Sequence, residues 1–223
     1  MNKLPKRLQT IADLVDKNTV IADIGCDHGW LPIYLCLNNK IKKAYACDVA
    51  KMPLSKAQEN VKKYNLDDNI SFLLCDGLSK LNDDVDQVII AGMGGHLIAK
   101  IIDESPYQYN TYILQPNTHH EVVREQLVKS NYRIIDEKMI VDQKKTYVII
   151  KAQKSNDIIK YSSLEIKYGP ILMKTKTSEF ISFYTNKYEQ IKKVFNNLSI
   201  DNKDYDDLKS NLIELKNLLY KGE

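Results

Sequence analysis

Short apolar runs alternate with segments of helical periodicity over the first part of the chain. The apolar runs predict strands near residues 19–24, 43–48, 70–75, 86–91 and 110–115. Apolar residues at steps of three and four predict helices over residues 31–37, 53–64, 96–103 and 121–129. This order is typical of a parallel sheet that is covered by crossover helices.

Two further apolar runs, residues 132–141 and 146–152, are joined by only residues 142–145. Because this connection is too short for a crossover helix, the two runs predict an antiparallel hairpin. A parallel sheet that ends in such a hairpin is typical of class I methyltransferases, whereas the sixth strand of a dehydrogenase sheet is parallel. The predicted fold class is therefore α/β, with a Rossmann-like class I methyltransferase sheet that ends in an antiparallel hairpin.

The chain beyond Lys160 has a different character. Apolar residues recur at steps of three and four over 178–198 and 203–220, with charged residues between them. We expect two antiparallel helices in a coiled-coil-like arm, and hence two domains, residues 1–159 and 160–223. The lysines of this arm leave open a second interpretation, in which it contacts RNA phosphates, although acidic residues near its tip weaken that interpretation.

The composition excludes several classes of protein. With 43% hydrophobic residues, a chain of 223 residues is able to bury a substantial core. No apolar stretch approaches the ~20 residues of a membrane span, and the N-terminus lacks the pattern of a signal peptide, which predicts a cytoplasmic protein. A net charge of +3 does not by itself indicate a nucleic-acid partner. The four cysteines lack C-x-x-C spacing, and we expect packed, reduced thiols and no metal site.

A glycine-containing turn, D-I-G-C-D-H-G over residues 23–29, follows the first predicted strand and opens into a predicted helix. Gly25 allows a tight reversal and lets a ligand approach bare backbone, while the N-terminus of the helix offers unpaired N–H groups. The pattern indicates a nucleotide-type cofactor. It departs from the dinucleotide motif G-x-G-x-x-G, because Asp27 stands where the second glycine belongs.

Carboxylates follow the next two predicted strands. Asp48 ends the second strand, where a carboxylate accepts hydrogen bonds from both ribose hydroxyls of an adenosine group. Asp76 follows the third strand and suits the exocyclic amine of adenine. Each has an alternative role as a turn or helix-capping residue, but together they favour an adenosyl ligand, with Asp23 near its amino-acid end.

The loops after the fourth and fifth strands carry candidates for a target base. G-M-G-G, residues 92–95, has three glycines in four positions, which leaves room for a flat base close to the backbone. Met93 is either a neighbour of the reacting groups or a gap filler in the core. Asn117 either hydrogen-bonds a base edge or initiates a turn. We interpret His119 and His120 as surface or capping residues and not as metal ligands.

Several motifs in this order resemble one family. D-I-G-C-D-H-G-W-L-P, G-M-G-G, L-Q-P-N, the opening L-P-K-R-L and the helical arm are similar to the bacterial tRNA (adenine-22-N1)-methyltransferase family, and the resemblance covers nearly the whole chain. It implies S-adenosylmethionine as methyl donor, tRNA as substrate, a catalytic domain over residues 1–159 and a coiled-coil C-terminal domain. The cofactor-binding residues that it implies are Arg7, Asp23, Gly25, Cys26, Asp27, His28, Gly29, Asp48, Val49, Asp76, Gly77, Met93 and Gly94.

The resemblance and the residue chemistry indicate Asp27 and Asn117 as catalytic residues. The predicted substrate-binding residues are Gly94, Gly95 and Asn117. Asp27 either stabilises the cationic product ring or serves the cofactor. The alternatives are a methyltransferase that acts on a protein or small molecule, a NAD-dependent dehydrogenase, and a non-catalytic RNA-binding protein. The sequence does not predict the oligomeric state, for which a monomer is the simplest expectation.

Overall fold

One seven-stranded sheet forms the centre of the computed structural model, which describes residues 3–199 and 201–220. The strands are β1 (Thr19–Ile24), β2 (Ile41–Asp48), β3 (Ile70–Leu74), β4 (Gln87–Met93), β5 (Thr111–Pro116), β6 (Tyr132–Asp142) and β7 (Lys145–Lys154). Their order is β3-β2-β1-β4-β5-β7-β6. The first five strands pair in parallel, and β7 runs antiparallel to both β5 and β6. The predicted sheet and its terminal hairpin are confirmed.

Helices follow most of the strands, as the alternating pattern predicts. In chain order the helices of the described residues are α1 (Lys6–Leu14), α2 (Trp30–Leu37), α3 (Lys51–Lys63), α4 (Gly95–Asp103), α5 (His120–Lys129), α6 (Ser163–Tyr168), α7 (Pro170–Thr175), α8 (Ser178–Phe195) and α9 (Tyr205–Tyr220). The sequence pattern did not reveal α1, α6 or α7. Six-residue helices such as α6 and α7 are too short to show helical periodicity, although a capping box between Ser162 and Glu165 marks the start of α6.

Contacts divide the chain into two compact units, one that ends at Ile171 and one that begins at Leu172. The first unit contains the whole sheet. In the second unit α8 and α9 pack on each other, and the rings of Phe195 and Tyr205 lie 4.9 Å apart next to the connection between the two helices. The domain division at residues 1–159 and 160–223 stays a prediction.

The central strands are buried on both faces, which explains their continuous apolar sequences. Every residue of β5 is buried, including Gln115, and the first four residues of β4 are buried as well. The four cysteines are free and buried, as expected for packed thiols. In the part of the chain that the structure describes, no helix is both long and apolar enough to cross a membrane.

Lysines anchor the C-terminal end of α1 to the sheet. Lys40 Nζ donates to Ala12 O at 2.6 Å, and Lys151 Nζ donates to Leu14 O at 2.9 Å. Lys151 also pairs with Asp16 at 2.7 Å. Cations at this end of a helix are favourable because its last carbonyls have no partners within the helix. These contacts fix α1, which carries Arg7, against the sheet.

A buried ion pair joins α5 to β6. Arg124 Nε donates to Glu137 Oε1 at 2.8 Å, and the two side chains are only 1% and 0% exposed. Arg124 also donates to the carbonyls of Ile166 and Lys167, and Ile171 N donates to Glu137 Oε2 at 3.0 Å. The pair therefore also holds the chain segment that contains α6.

Candidate active site

The carboxyl ends of five neighbouring parallel strands meet at one edge of the sheet, where ligands bind in open α/β folds. The register places Ile24 beside Cys47, and Met93 beside Pro116. The predicted site residues on or next to these strand ends are Asp23, Gly25, Cys26, Asp27, His28, Gly29, Asp48, Val49, Asp76, Gly77, Met93, Gly94, Gly95 and Asn117. Fold topology thus brings together residues that are far apart in the sequence.

The turn after β1 contacts the ends of β2 and β4. Gly25 N and Cys26 N both donate to Cys47 O, at 2.9 and 3.1 Å. Gly25 has φ +74°, and a Cβ there would lie 2.6 Å from Met93 Cε. A side chain at this position could displace the flexible end of Met93, but a φ of +74° strongly favours glycine, so the turn keeps bare backbone beside Met93.

Asp23 is the buried carboxyl group of the site, with 6% of its surface exposed. Burial raises the pKa of Asp23 to about 7, the positive charge of Arg7 opposes this rise, and the negative charge of Asp48 adds to it. Arg7 and Asp48 therefore both act electrostatically on Asp23. A cation bound next to Asp23 would favour its ionised form.

The other predicted carboxylates are more open. Asp48 is half-buried and accepts a hydrogen bond from Ala50 N at 2.9 Å, which gives it the turn role that the sequence left open. Asp76 is exposed and precedes Gly77, which has φ +51°. Asp27 has φ +48°, and its side chain is 73% exposed and lies 3.6 Å from His28 Nε2. The Asp27 carboxylate is accessible to a ligand.

Two predicted residues differ in accessibility. Cys26 is buried, and burial raises the pKa of its thiol, which favours the neutral form. Val49 is 67% exposed directly after β2. An exposed aliphatic side chain next to Asp48 offers a surface on which a flat ring is able to pack.

A chain of hydrogen bonds that sequence reasoning missed links Arg7 to Asn117 through Gln115. Arg7 Nη1 donates to Gln115 Oε1 at 2.6 Å, and Gln115 Nε2 donates to Asn117 Oδ1 at 3.0 Å. Asn117 Nδ2 in turn donates to Gly92 O at 2.7 Å. The sequence signal for Gln115 is a polar residue within the apolar run of β5, because a buried amide needs partners.

The remaining glycines of the G-M-G-G loop have different surroundings. Gly95 N donates to Thr118 O at 2.9 Å, and a Cβ at Gly95 would clash with the backbone oxygens of Thr118 and His119. Gly94 is exposed, and a Cβ there would lie 3.7 Å from Thr118 Oγ1. Gly95 is therefore required for the close packing of the two loops, and a substrate contact from either glycine stays a prediction.

The two histidines after β5 lie at the start of α5. His119 is exposed and occupies the N-cap position with φ +54°, and its ring lies 4.5 Å from that of His96. Burial lowers the pKa of His120 to about 4. Among residues 3–199 and 201–220, no three histidine, cysteine or carboxylate side chains lie close enough together to hold a metal ion.

The charges around the Gly25 turn match S-adenosylmethionine in chemical type. Its amino-acid end carries an ammonium and a carboxylate, which suit Asp23 and Arg7 respectively. Its ribose hydroxyls suit Asp48, and its adenine amine suits Asp76. The sheet order, the terminal hairpin and these strand-end residues define an α/β methyltransferase of the Rossmann-like class I type.

Comparison with known proteins narrows this class. The family model for tRNA (adenine(22)-N(1))-methyltransferase, TrmK, matches residues 21–218, and the chain belongs to this family. It is 34% identical over 205 residues to the tRNA (adenine(22)-N(1))-methyltransferase of Bacillus subtilis, and the match covers 88% of this chain and 86% of the relative.

Solved structures agree with this assignment over the full length. A Streptococcus pneumoniae protein with 28% identity superposes with a TM-score of 0.92 over 98% of this chain and 100% of its own. M. capricolum TrmK, solved in complex with the cofactor product S-adenosyl-homocysteine, has 33% identity and a TM-score of 0.87, with 97% of each chain covered.

Proposed function

We propose that this protein transfers a methyl group from S-adenosylmethionine to N1 of adenine 22 in tRNA. The observation that carries this proposal is the combination of Asp23, Asp48 and Arg7 around the Gly25 turn, in a chain that belongs to the TrmK family. The activity in the name of the Bacillus subtilis relative and the product in the M. capricolum structure support it. A tRNA substrate also favours a location in the cytoplasm.

The cofactor would lie along the strand ends. When bound, S-adenosylmethionine supplies a methyl group on a positively charged sulfur. Asp23 and Arg7 would hold its charged amino-acid end, and Asp48 and Asp76 its ribose and adenine. Gly25 leaves the backbone of the turn accessible, since its φ of +74° strongly favours glycine and glycine has no side chain.

Positioning would be the main contribution of the protein to the reaction. N1 of adenine has a lone pair in the plane of the ring, and little acid–base chemistry is needed before it attacks the methyl group. Holding two reactants in line accounts for ~7 to 11 kcal/mol of a barrier in favourable systems. Asn117 and the backbone at Gly94 and Gly95 would hold the base, with Met93 beside it.

Asp27 would act on the charge that develops during transfer. Methylation at N1 makes the adenine ring cationic, and a nearby carboxylate stabilises this charge or accepts a proton from the exocyclic amine. The 73% exposure of the Asp27 side chain supports contact with an incoming base. Loss of cofactor binding in Asp27→Asn would instead assign this carboxylate to the cofactor.

The target base must leave its helix, because N1 lies on the edge that pairs with another base. Extrusion of a base costs a few kcal/mol, which contacts with the displaced nucleotide must offset. The open edge of the sheet, with Gly94 and Asn117 both exposed, supports entry of a base from solvent.

Methyl transfer from labelled cofactor into unmodified tRNA, followed by mass-spectrometric mapping, tests the proposal. We expect label at N1 of adenine 22, and none in a matched tRNA that carries uracil at that position. Label at another position, or label that does not depend on tRNA, would overturn the assignment and favour a different methyl acceptor. Binding of tRNA and cofactor without any transfer would identify a non-catalytic RNA-binding protein.

A further inference from the structure

Gln115 is a fully buried amide at the end of a central strand. Its side chain is 0% exposed, and both ends of the amide have partners. Oε1 accepts from Arg7 Nη1 at 2.6 Å, while Nε2 donates to Pro116 O at 3.1 Å and to Asn117 Oδ1 at 3.0 Å. Because a buried amide without partners is costly, these three contacts favour an amide at this position.

Arg7 determines which way the two amides point. A guanidinium group only donates hydrogen bonds and stays protonated, so the group that faces it must be the oxygen of Gln115. The nitrogen of Gln115 must then face the oxygen of Asn117. The nitrogen of Asn117 faces Gly92 O, to which it donates at 2.7 Å. One cation thus sets the orientation of a buried amide and, through it, of an exposed one.

Arg7 is itself held from several sides. Its backbone N–H donates to Asp142 Oδ2 at 3.0 Å, and its guanidinium carbon lies 5.7 Å from the centre of the Tyr147 ring. Lys40 and Lys151 hold the other end of α1. The start of the hydrogen-bond chain is therefore fixed to the sheet and to the terminal hairpin.

We propose that Gln115 is a positioning residue, which holds the amide of Asn117 in the orientation that receives the target adenine; this rests on the proposed methylation of adenine N1. An amide oxygen has two lone pairs, and the bond from Gln115 uses one of them. The second suits the exocyclic amine of adenine, which lies beside N1. With its amide reversed, Asn117 would present N–H groups to that amine.

The variant Gln115→Glu isolates this role. The new carboxylate still accepts from Arg7 but has no N–H to donate to Asn117. We expect kcat for tRNA methylation to fall about 100-fold, the loss typical of a small misplacement in an active site. Affinity for S-adenosylmethionine, measured by calorimetry, should stay within about threefold. Gln153→Glu makes the same chemical change at an exposed position of β7 and should leave kcat unchanged.

A double-mutant cycle separates positioning from a structural role. If Gln115 acts through Asn117, Gln115→Glu lowers kcat in the natural background and causes no further loss in the Asn117→Ala background. Additive losses would overturn the proposal. If the glutamate variant does not fold, Gln115→Met, which has a similar shape but no hydrogen-bonding ends, replaces it in the same cycle.

An NMR measurement that does not require catalysis tests the positioning role of Gln115 separately from the proposed function. The side-chain NH2 signals of Gln115 and Asn117 are assigned by NMR from their loss in the corresponding variants. In Gln115→Glu, we expect the Asn117 signals to shift and to exchange faster with solvent than in the natural protein. Unchanged signals would overturn the positioning role. A natural protein that is inactive on tRNA would overturn the proposed function and leave this readout intact.

Discussion

Arg124 and Arg7 both organise buried polar groups, but their networks end differently. Arg124 pairs with a carboxylate, Glu137, and both side chains are at most 1% exposed. Arg7 is half-buried, and its partner Gln115 is a neutral amide that passes the contact on to the exposed Asn117. A network that closes within the protein holds elements together, whereas a network that ends at an exposed amide positions a group for a ligand. The following predictions test this difference.

Removal of Arg124 should have the largest effect, and it should act on stability. Arg124→Met removes the guanidinium that pairs with the buried carboxylate of Glu137, and breaking a buried pair in this way typically costs about 3–5 kcal/mol. Denaturant unfolding of the variant and the natural protein measures this loss. The matched control is Arg133→Met, which removes the exposed pair with Asp157 and should cost about 1 kcal/mol or less.

Equal losses in these two variants would contradict the comparison, because burial would then make no difference to the pair. For Arg124→Met we also expect the cofactor affinity of the folded protein to be unchanged, since none of the contacts of Arg124 described above involves the strand-end residues of the candidate site. A selective loss of cofactor binding would show that the Arg124 network reaches the site.

Removal of Arg7 should give the opposite pattern. Arg7→Met leaves Gln115 Oε1 without its donor, which costs about 1–3 kcal/mol of stability. The larger consequence should be functional: kcat should fall about 100-fold because the orientation of Asn117 is no longer fixed. Steady-state kinetics and denaturant unfolding of the same preparation measure both effects.

Arg7→Lys separates the two expected roles of Arg7. Lysine keeps the positive charge near Asp23 but lacks the planar group that spans to Gln115. We expect higher cofactor affinity than in Arg7→Met, which lacks the cation proposed to hold the carboxylate of the cofactor, while kcat stays low. Recovery of kcat to the natural value would show that charge alone is sufficient and would contradict the role assigned to the guanidinium.

The same contrast explains what the sequence predicts and what it does not. The strands and the hairpin are predictable because buried parallel strands give continuous apolar runs. The positions of Asp23, Asp48 and Asp76 at the strand ends are predictable because these residues lie at or just after the ends of the runs. Arg7 and Gln115 are 108 positions apart. Nothing local in either segment indicates that they touch, and α1, which brings Arg7 to the sheet, was not predicted either. Long-range hydrogen bonds of this kind depend on the tertiary fold.

The pH dependence of cofactor binding gives the smallest expected effect and depends on the electrostatic link between Arg7 and Asp23. Burial raises the pKa of Asp23 to about 7, and the cationic amine of the cofactor binds best to the ionised form. Affinity should therefore fall about tenfold for each pH unit below 7 and level off above it. Calorimetric titrations with S-adenosylmethionine from about pH 5.5 to about pH 8 measure the profile. This range extends about 1.5 units below and about one unit above the pKa of Asp23.

The stability of the folded protein should depend on pH in the direction opposite to that of cofactor affinity. Because the folded state holds a proton on Asp23 that the unfolded state releases near its ordinary pKa, this group favours folding at low pH, and its contribution is lost as the pH rises through about 7. Asp23→Asn should remove both dependences.

In Arg7→Met, loss of the cation that opposes the shift should raise the pKa of Asp23 further and move the binding profile to higher pH. A profile that does not move would show that Arg7 acts only through Gln115, and it would reduce the role of this arginine to the orientation of Asn117.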